Sequence, residues 1–299
     1  MSGETCVLCG CPVRDAVLQV ALPRPPQLPQ IFSLLRCNSC GLVMTSPRLS
    51  GKELEAFYSP EYWGRAEPDN LDWVRRNEAP RTEFLERFRR EGRILDVGCG
   101  LGLFLLALDP ARWERTGLEV MPAAYEQAVR HLGAGSMIGS ELTEAGLPGG
   151  QFDVVTFWDS LEHLPDPVAA LRTAHRALRP GGIVLLRLPN FSSYLAQHFG
   201  EDWFELSLPY HLHHFTPPTL TRVLEATGFR LRVVENSLGT QNYHAFKHTL
   251  LTRMTRRHGP RGGRVLYYLL KPLLGPWERI ARRHGRGSSM QVCAERSPG

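Results

Sequence analysis

The sequence predicts an α/β fold in which helices cover a parallel β-sheet. From Arg93 onward, short apolar runs alternate with segments of helical periodicity. A glycine-rich turn follows the first of these runs. Hydrophobic residues make up 42% and charged residues 22% of the 299 positions, a composition typical of a packed globular protein and not of a disordered one.

The elements follow from apolar runs bounded by turn residues. Strands are predicted at Ile94–Val97, Thr116–Glu119, Ser136–Ile138, Asp153–Trp158, Ile183–Leu188, Leu231–Glu235 and Met290–Glu295. Helices are predicted at Pro122–His131, Pro167–Leu178 and Thr219–Thr227. Gly181 and Gly182, which follow Pro180, are expected to end one helix and open the next strand.

Four of the seven cysteines form two pairs near the N-terminus, Cys6-x-x-Cys9 and Cys37-x-x-Cys40. Two-residue spacing lets both thiolates of a pair face one tetrahedral ion, and four such soft ligands suit structural Zn²⁺. Cys11 is a spare thiol that could compete with Cys9. Disulfides or unliganded thiols are the alternative. They are disfavoured because the first eleven residues show no secretory signal, so a cytoplasmic protein is expected.

The first predicted strand runs into a loop with glycines at alternate positions, Gly98, Gly100 and Gly102. Such glycines let the backbone turn tightly and approach a ligand. The third glycine comes one residue earlier than in the dinucleotide fingerprint, and Asp96 stands where a carboxylate would repel a pyrophosphate. An acid there suits a cationic ligand with hydroxyl groups. Glu119, 23 residues after Asp96 at the next strand tip, can accept hydrogen bonds from both hydroxyls of a ribose.

These segments resemble the class I methyltransferases that use S-adenosylmethionine. The resemblance covers about Arg93 to Glu235 and is carried by Ile94–Gly102, Gly117–Glu119, Phe152–Val155, Trp158–Leu164 and Leu178–Gly182. It implies a Rossmann-like seven-stranded sheet with a reversed last hairpin, and S-adenosylmethionine as the cofactor. The function implied is methyl transfer to a small-molecule acceptor, namely a sugar, a nucleotide sugar or a secondary-metabolite precursor.

The resemblance also implies a set of cofactor-binding residues. Asp96 and the glycine loop would hold the methionine end, and Glu119 the ribose. Val120 and Met121 would flank the adenine, with Glu141 near its amino group. Asp159 and Ser160 would line the methionine side at the end of the fourth strand. The complete set is Asp96, Gly98, Cys99, Gly100, Gly102, Glu119, Val120, Met121, Glu141, Asp159 and Ser160.

The resemblance extends beyond this core. Residues 37–63 look like the zinc-binding front end of bacterial methyltransferases of sugars and secondary metabolites, and 211–229 are similar to their C-terminal half. Some sugar C-methyltransferases carry a Tyr-His-Glu-His cluster near this point. Here Leu208–His211 keeps the final histidine and lacks the glutamate, which weakens C-methylation as an alternative to O-methylation.

A hydroxyl acceptor needs a base, and histidine is suited to that role near neutral pH. The candidates are His163, after the fourth strand, and three histidines of one loop, His211, His213 and His214. At least two of the four are expected to be structural. Tyr58, Tyr62 and Trp63 could cover the acceptor, although aromatic residues at this spacing more often serve packing.

The net charge of +5 is unevenly distributed. Residues 241–287 carry eleven bases and one acid, Glu278, whereas the rest of the chain carries 24 bases and 29 acids. Bases between leucines and aromatic residues suit a helix on an anionic membrane surface, a lid over a phosphorylated acceptor, or a dimer contact. The same features leave an RNA-binding zinc-ribbon protein or RNA methyltransferase as an alternative, but the insertion lacks a recognisable RNA-binding motif. A catalytically silent cofactor-binding scaffold is a third hypothesis, against which Asp96 and Glu119 argue.

Five segments are therefore expected. They are a zinc-ribbon-like module at 1–50, a helical linker or lid at 51–92, the cofactor-binding core at 93–240, a basic amphipathic insertion at 241–287, and a final strand and tail at 288–299.

Overall fold

The computed structural model describes residues 4–22, 31–49, 70–236, 240–270 and 284–297, with the single positions 53, 272 and 276. The chain divides into two compact units. The first unit comprises 1–54, 187–222 and 234–291, and the second comprises 55–186, 223–233 and 292–299. The aromatic candidates Tyr58, Tyr62 and Trp63 lie outside the described residues.

Strands and helices are numbered in chain order. The strands are β1 (Glu4–Thr5), β2 (Pro12–Val13), β3 (Asp15–Ala21), β4 (Ile31–Arg36), β5 (Val43–Ser46), β6 (Gly92–Val97), β7 (Trp113–Leu118), β8 (Met137–Ile138), β9 (Phe152–Trp158), β10 (Leu178–Pro189), β11 (His213–His214), β12 (Phe229–Asn236) and β13 (Ser289–Arg296). The α-helices are α1 (Leu71–Glu86), α2 (Leu103–Ala107), α3 (Pro122–Leu132), α4 (Pro167–Ala177), α5 (Tyr194–Phe199), α6 (Pro217–Ala226) and α7 (Thr240–Leu270).

Seven strands form the main sheet, in the order β12-β13-β10-β9-β6-β7-β8. β6 pairs in parallel with β7 and with β9, and β7 pairs in parallel with β8. β13, the last strand of the chain, lies between β10 and β12. The predicted α/β fold with a Rossmann-like seven-stranded sheet is confirmed. All seven residues of β9 are buried, as expected for a strand covered on both faces.

The junction between α4 and β10 differs from the prediction. The helix ends at Ala177, and the strand already begins at Leu178 instead of Ile183. Leu178 has extended backbone angles, and the next residue, Arg179, is also disfavoured from the helical region because it precedes Pro180. At the other end α4 begins at Pro167, as predicted, and the side chain of Asp166 caps it by accepting a hydrogen bond from the Ala169 amide.

The core of the second unit joins α1 to the sheet. Phe84 and Leu85 of α1 belong to one buried cluster with Ile94, Phe104 and Trp158. The Trp158 ring meets the rings of Phe84 and Phe104 edge-on, at centroid distances of 6.4 and 5.3 Å. The buried face of α1 is therefore anchored beside the end of β9.

A second, antiparallel sheet lies in the first unit, with the order β11-β5-β4-β3. Its edge strand consists of His213 and His214, which pair with Met44 and Val43 of β5. The histidine stretch was expected to be a loop over the active site. Instead, part of it extends the small sheet, whose connection between β4 and β5 carries Cys37 and Cys40.

The predicted basic insertion contains α7, between β12 and β13 in the chain. Gly259, with φ 71° and ψ 171°, is not helical, so α7 consists of two helical segments. In the part of the chain that the structure describes, none of the helices combines the length and apolar character needed to cross a bilayer.

Candidate cofactor site and metal centre

The glycine loop follows β6 and packs against the turn after β9. Gly98, Gly100 and Gly102 all have positive φ, of 70°, 56° and 74°. A Cβ at Gly98 would lie 2.8 Å from the Cβ of Ser160, so only glycine fits there. The Ser160 hydroxyl donates a hydrogen bond to the carbonyl of Val97 over 2.6 Å. Ser160 thus packs against the loop and binds its first carbonyl.

Glu119 joins the glycine loop to the start of α3. Its buried carboxylate accepts hydrogen bonds from the amides of Gly100 and Met121, each over 2.9 Å. Burial raises the pKa of Glu119, and these amides oppose the shift. Each carboxylate oxygen has two lone pairs, so both can accept a further hydrogen bond from ligand hydroxyls.

Asp96 is buried at the end of β6. Its Oδ1 accepts a hydrogen bond from the Thr156 hydroxyl over 2.7 Å. Burial raises the pKa of Asp96 to about 7, although Thr156 and the positive charge of Arg81 act in the opposite direction. A buried carboxyl with so little compensation is suited to a ligand that brings a positive charge.

Arg81 of α1 belongs to the candidate site, and the sequence reasoning missed it. Its Nη1 lies 3.0 Å from Oε2 of Glu78, and its Nη2 lies 3.3 Å from Oδ2 of Asp159. Burial opposes the charge of the guanidinium, but Glu78, Asp159 and Asp96 raise the pKa of Arg81 above its usual value. Among the described residues, its buried Nε has no hydrogen-bond partner.

The helical period of α1 could have revealed Arg81. Val74, Glu78, Arg81 and Leu85 follow one another at steps of four, three and four residues, which places them on one face of a helix. Val74, Glu78 and Leu85 are all buried. An arginine and an acid on the same face as two core residues indicate a buried charge pair.

The remaining predicted cofactor residues differ in burial. Asp159 follows β9 with a positive φ of 55°. Met121 is half-buried at the N-cap of α3. Burial raises the pKa of the Cys99 thiol, so this thiol stays neutral. Val120 is 52% exposed and Glu141 is exposed in the turn after β8, so their adenine contacts remain predictions.

The histidines of β11 are buried in the small sheet. The Thr45 hydroxyl donates its hydrogen to the carbonyl of His211 over 2.6 Å, so it must accept from Nε2 of His214, 2.9 Å away. Burial lowers the pKa of His214 to about 3. The ring of His213, also buried, lies 6.2 Å from that of Phe215. These placements favour structural roles for His213 and His214 and oppose their prediction as bases.

The other two histidines are held differently. Nδ1 of His211 lies 2.9 Å from the carbonyl of Glu205, which can only accept, so Nδ1 carries the proton and Nε2 the basic lone pair. His163 is half-buried in the single turn of 3₁₀ helix after β9. Its amide donates to the carbonyl of Ser160, one of the predicted cofactor residues.

The four predicted metal ligands converge in the first unit. The sulfurs of Cys6, Cys9, Cys37 and Cys40 all lie within 4.8 Å of one another. The distances from Cys6 to Cys40 and from Cys9 to Cys37 are 3.4 Å each. Tetrahedral Zn²⁺ with Zn–S bonds of ~2.3 Å needs sulfurs roughly 3.8 Å apart, so the donor set fits. The spare Cys11 is not one of these four sulfurs.

The two cysteine pairs are built alike. In each, the amide of the following glycine donates to the carbonyl of the first cysteine over 2.8 Å, and that glycine has a positive φ (Gly10 and Gly41). The second pair is also supported by α6, because Nη1 of Arg222 donates to the carbonyl of Cys40 over 2.6 Å. Two preformed turns of this kind suit a closed structural metal site.

The strand order, the glycine loop after β6 and the acid that follows β7 define a class I S-adenosylmethionine-dependent methyltransferase domain. Residues 65–234 match the profile of a family described as methyltransferase domain. The chain belongs to this methyltransferase domain family.

Known proteins share this domain. The ubiquinone biosynthesis O-methyltransferase of Pseudomonas aeruginosa is 35% identical over 131 residues, which are 41% of this chain and 56% of that protein. The protein of the same name from Aromatoleum aromaticum is 30% identical over 172 residues, which are 54% of this chain and 70% of that protein. The chain thus spans little more than half the length of the first relative.

A solved structure shares the fold. The S-adenosylmethionine-dependent methyltransferase of Thermotoga maritima superposes with a TM-score of 0.51 at 16% identity, covering 82% of this chain and 97% of that one.

Proposed function

We propose that the protein transfers a methyl group from S-adenosylmethionine to a hydroxyl of a small-molecule acceptor. The observation that carries the proposal is the cluster that Arg81 and Asp159 form with the buried acids Glu78 and Asp96 beside the glycine loop. It offers positive and negative groups within one site, as the amino-acid end of the cofactor requires. The O-methyltransferase names of the relatives support a hydroxyl as acceptor.

The residues of this cluster would have distinct roles. Arg81 would bind the cofactor carboxylate with its unsatisfied Nε–H group, and Asp96 would face the positive charge. Glu119 would accept hydrogen bonds from the ribose hydroxyls while it holds the loop through Gly100. When bound, S-adenosylmethionine supplies an electrophilic methyl carbon on a positively charged sulfur.

We further propose that His163 or His211 is the base. Its imidazole nitrogen would accept the proton of the acceptor hydroxyl, while the bound cofactor would supply the methyl group. His163 follows the strand whose end carries Asp159 and Ser160. The carbonyl of Glu205 orients His211 so that Nε2 is its basic nitrogen.

The cysteine cluster would bind one Zn²⁺ that serves structure. Four thiolates complete the tetrahedral shell and leave no position for a water or an acceptor. The ion would tie the two turns together, in a unit that also contains the small antiparallel sheet.

The function is tested by methyl transfer with ¹³C-methyl-labelled cofactor and two acceptor panels, catechols and nucleotide sugars. NMR of the product separates methyl on oxygen from methyl on carbon. We expect O-methylation in one panel, abolished by Asp96→Ala and retained in Asp109→Ala, which removes an exposed acid elsewhere. Methyl on carbon would overturn the acceptor assignment, and absence of cofactor binding by calorimetry would overturn the function itself.

A further inference from the structure

The two segments of α7 fold back on each other at Gly259. A Cβ at Gly263 would lie 2.7 Å from the amide nitrogen of Thr255, so the backbones of the two segments approach closely. This approach is possible because Gly263 has no side chain. Residues 244–270 therefore form a compact helical hairpin.

The segment of α7 before Gly259 is attached to Asp202 through two of its arginines. Asp202, just before Trp203, is buried, and its two oxygens lie 2.9 Å from Nη1 of Arg253 and 2.9 Å from Nη2 of Arg256. Arg256 also contacts Glu201. A buried carboxylate with two guanidinium partners makes a firm attachment, since losing both arginines would leave its charge uncompensated in the interior.

The segment of α7 after Gly259 presents an apolar and basic face to solvent. Arg261, Arg264, Val265, Tyr268 and Leu269 are all exposed and follow the helical spacing of a single face. The exposed fractions are 63% for Val265, 66% for Tyr268 and 70% for Leu269. The opposite face is already packed, because Gly263 and Tyr267 are buried. The face therefore has apolar surface that the hairpin itself does not use.

The charge around this face has one sign. Residues 241–270 contain six bases and no acid. Arg253 and Arg256 pair with Asp202, whereas Arg257, Arg261 and Arg264 are exposed and have no ion pair among the described residues. The apolar side chains are thus accompanied by positive charges that are available to an anionic partner.

We propose that the face of Arg261, Arg264, Val265, Tyr268 and Leu269, here called the lipid face, binds the surface of an anionic membrane. Its apolar side chains would enter the boundary between headgroups and acyl chains while the guanidiniums meet lipid phosphates. Three side chains expose well under the ~800 Å² that each partner of a stable protein interface buries. Acyl chains need no complementary shape, so a small patch with surrounding positive charge is sufficient for weak, reversible binding.

The test is flotation of the full chain with vesicles of phosphatidylcholine alone or with about 30% phosphatidylglycerol. We expect binding to the anionic vesicles that weakens as salt rises and is much weaker with the neutral ones. The double variant Arg261→Gln/Arg264→Gln should bind about 25-fold more weakly, and Val265→Ser/Leu269→Ser about tenfold or more. Arg14→Gln/Arg172→Gln and Val17→Ser/Ile31→Ser alter exposed positions elsewhere and should bind like the parent.

Several results would overturn the proposal. Equal flotation with both vesicles, or unchanged binding by both lipid-face variants with native circular dichroism, would exclude an electrostatic lipid contact at this face. Binding of inorganic pyrophosphate that depends on Arg261 and Arg264, without vesicle binding, would assign the face to a phosphorylated small molecule. Dimerisation in sedimentation velocity that the Val265→Ser/Leu269→Ser variant abolishes, again without vesicle binding, would assign it to a second copy of the chain.

Discussion

Nη2 of Arg81 lies 3.3 Å from Oδ2 of Asp159, although the two residues are 78 positions apart. The contact joins α1, which precedes the sheet, to the turn that follows β9. Glu78, one turn earlier on the same helix, binds the same guanidinium. The helix predicted as a linker or lid therefore contributes charge to the proposed cofactor site.

Replacing Arg81 should weaken the binding of S-adenosylmethionine. We expect Arg81→Gln to lower affinity about tenfold or more, because a hydrogen bond to a charged group contributes ~1.5–3 kcal/mol. Arg76→Gln, an exposed position on the same helix, is the matched control and should bind like the parent. Isothermal calorimetry measures both, and equal affinities would remove Arg81 from the site.

Asp96 should make cofactor binding depend on pH. Its pKa of about 7 in the free protein means that the carboxyl is largely protonated at pH 6 and ionised at pH 8. A cationic ligand prefers the ionised form, so affinity should rise between pH 6 and pH 8. In Asp96→Asn the affinity should be low and flat over this range. A parent whose affinity does not change with pH would contradict the assignment.

Asp96 should also lower the stability of the cofactor-free protein as the pH rises. Because the folded pKa of Asp96 is raised above its usual 3.8, its contribution favours the folded state at low pH. That contribution is lost as pH rises from about 4 through about 7. Asp96→Asn should therefore melt above the parent at pH 8, by roughly 2–4 °C per kcal/mol regained, and the difference should shrink at pH 5. An unchanged difference between the two pH values would refute this reasoning.

Glu119 should support cofactor binding in two ways, by holding the glycine loop and by accepting hydrogen bonds from the ribose. Glu119→Ala removes the acceptor for the amides of Gly100 and Met121, and cofactor affinity should fall tenfold or more. Glu114→Ala, which removes an exposed acid on β7, the strand that precedes Glu119, should bind normally. Calorimetry decides the matter, and the prediction fails if the two variants bind alike.

One zinc ion per chain should copurify without added metal. Cys37→Ser/Cys40→Ser should lose the ion and lower the thermal stability, since the site closes two separate turns. Cys11→Ser and Cys293→Ser should keep the ion, because neither sulfur belongs to the cluster. Metal analysis by mass spectrometry is the readout, and zinc retained in the double variant would refute the ligand set.

Loss of the histidine base should slow turnover and leave the affinity for the cofactor unchanged. We expect His163→Ala or His211→Ala to slow single-turnover methylation by ~10²-fold or more, with nearly constant cofactor affinity. His198→Ala, an exposed histidine, should leave the rate unchanged. His214→Ala should instead lower the melting temperature, because it removes the partner of Thr45. Parental rates in both candidate variants across pH would mean that positioning alone carries the reaction.

The features that the amino-acid sequence specifies unaided are local. A positive φ at Gly98, Gly100 and Gly102 and the two-residue spacing of the cysteines depend on a few neighbouring residues, so the residue types alone were enough to infer the glycine turn and the metal ligands. The strands of the main sheet were predicted for the same reason, since apolar runs bounded by turn residues specify them.

Which distant groups meet depends on the tertiary fold. His213 and His214 form a strand because β5 provides an edge for them, and their burial there favours structural roles. Gly259 breaks α7 so that its segments can pack together, and Arg81 reaches Asp159 because the buried face of α1 packs beside β9. Backbone pairing and charge contacts between remote segments depend on packing of the whole core, and no short stretch of sequence encodes that geometry.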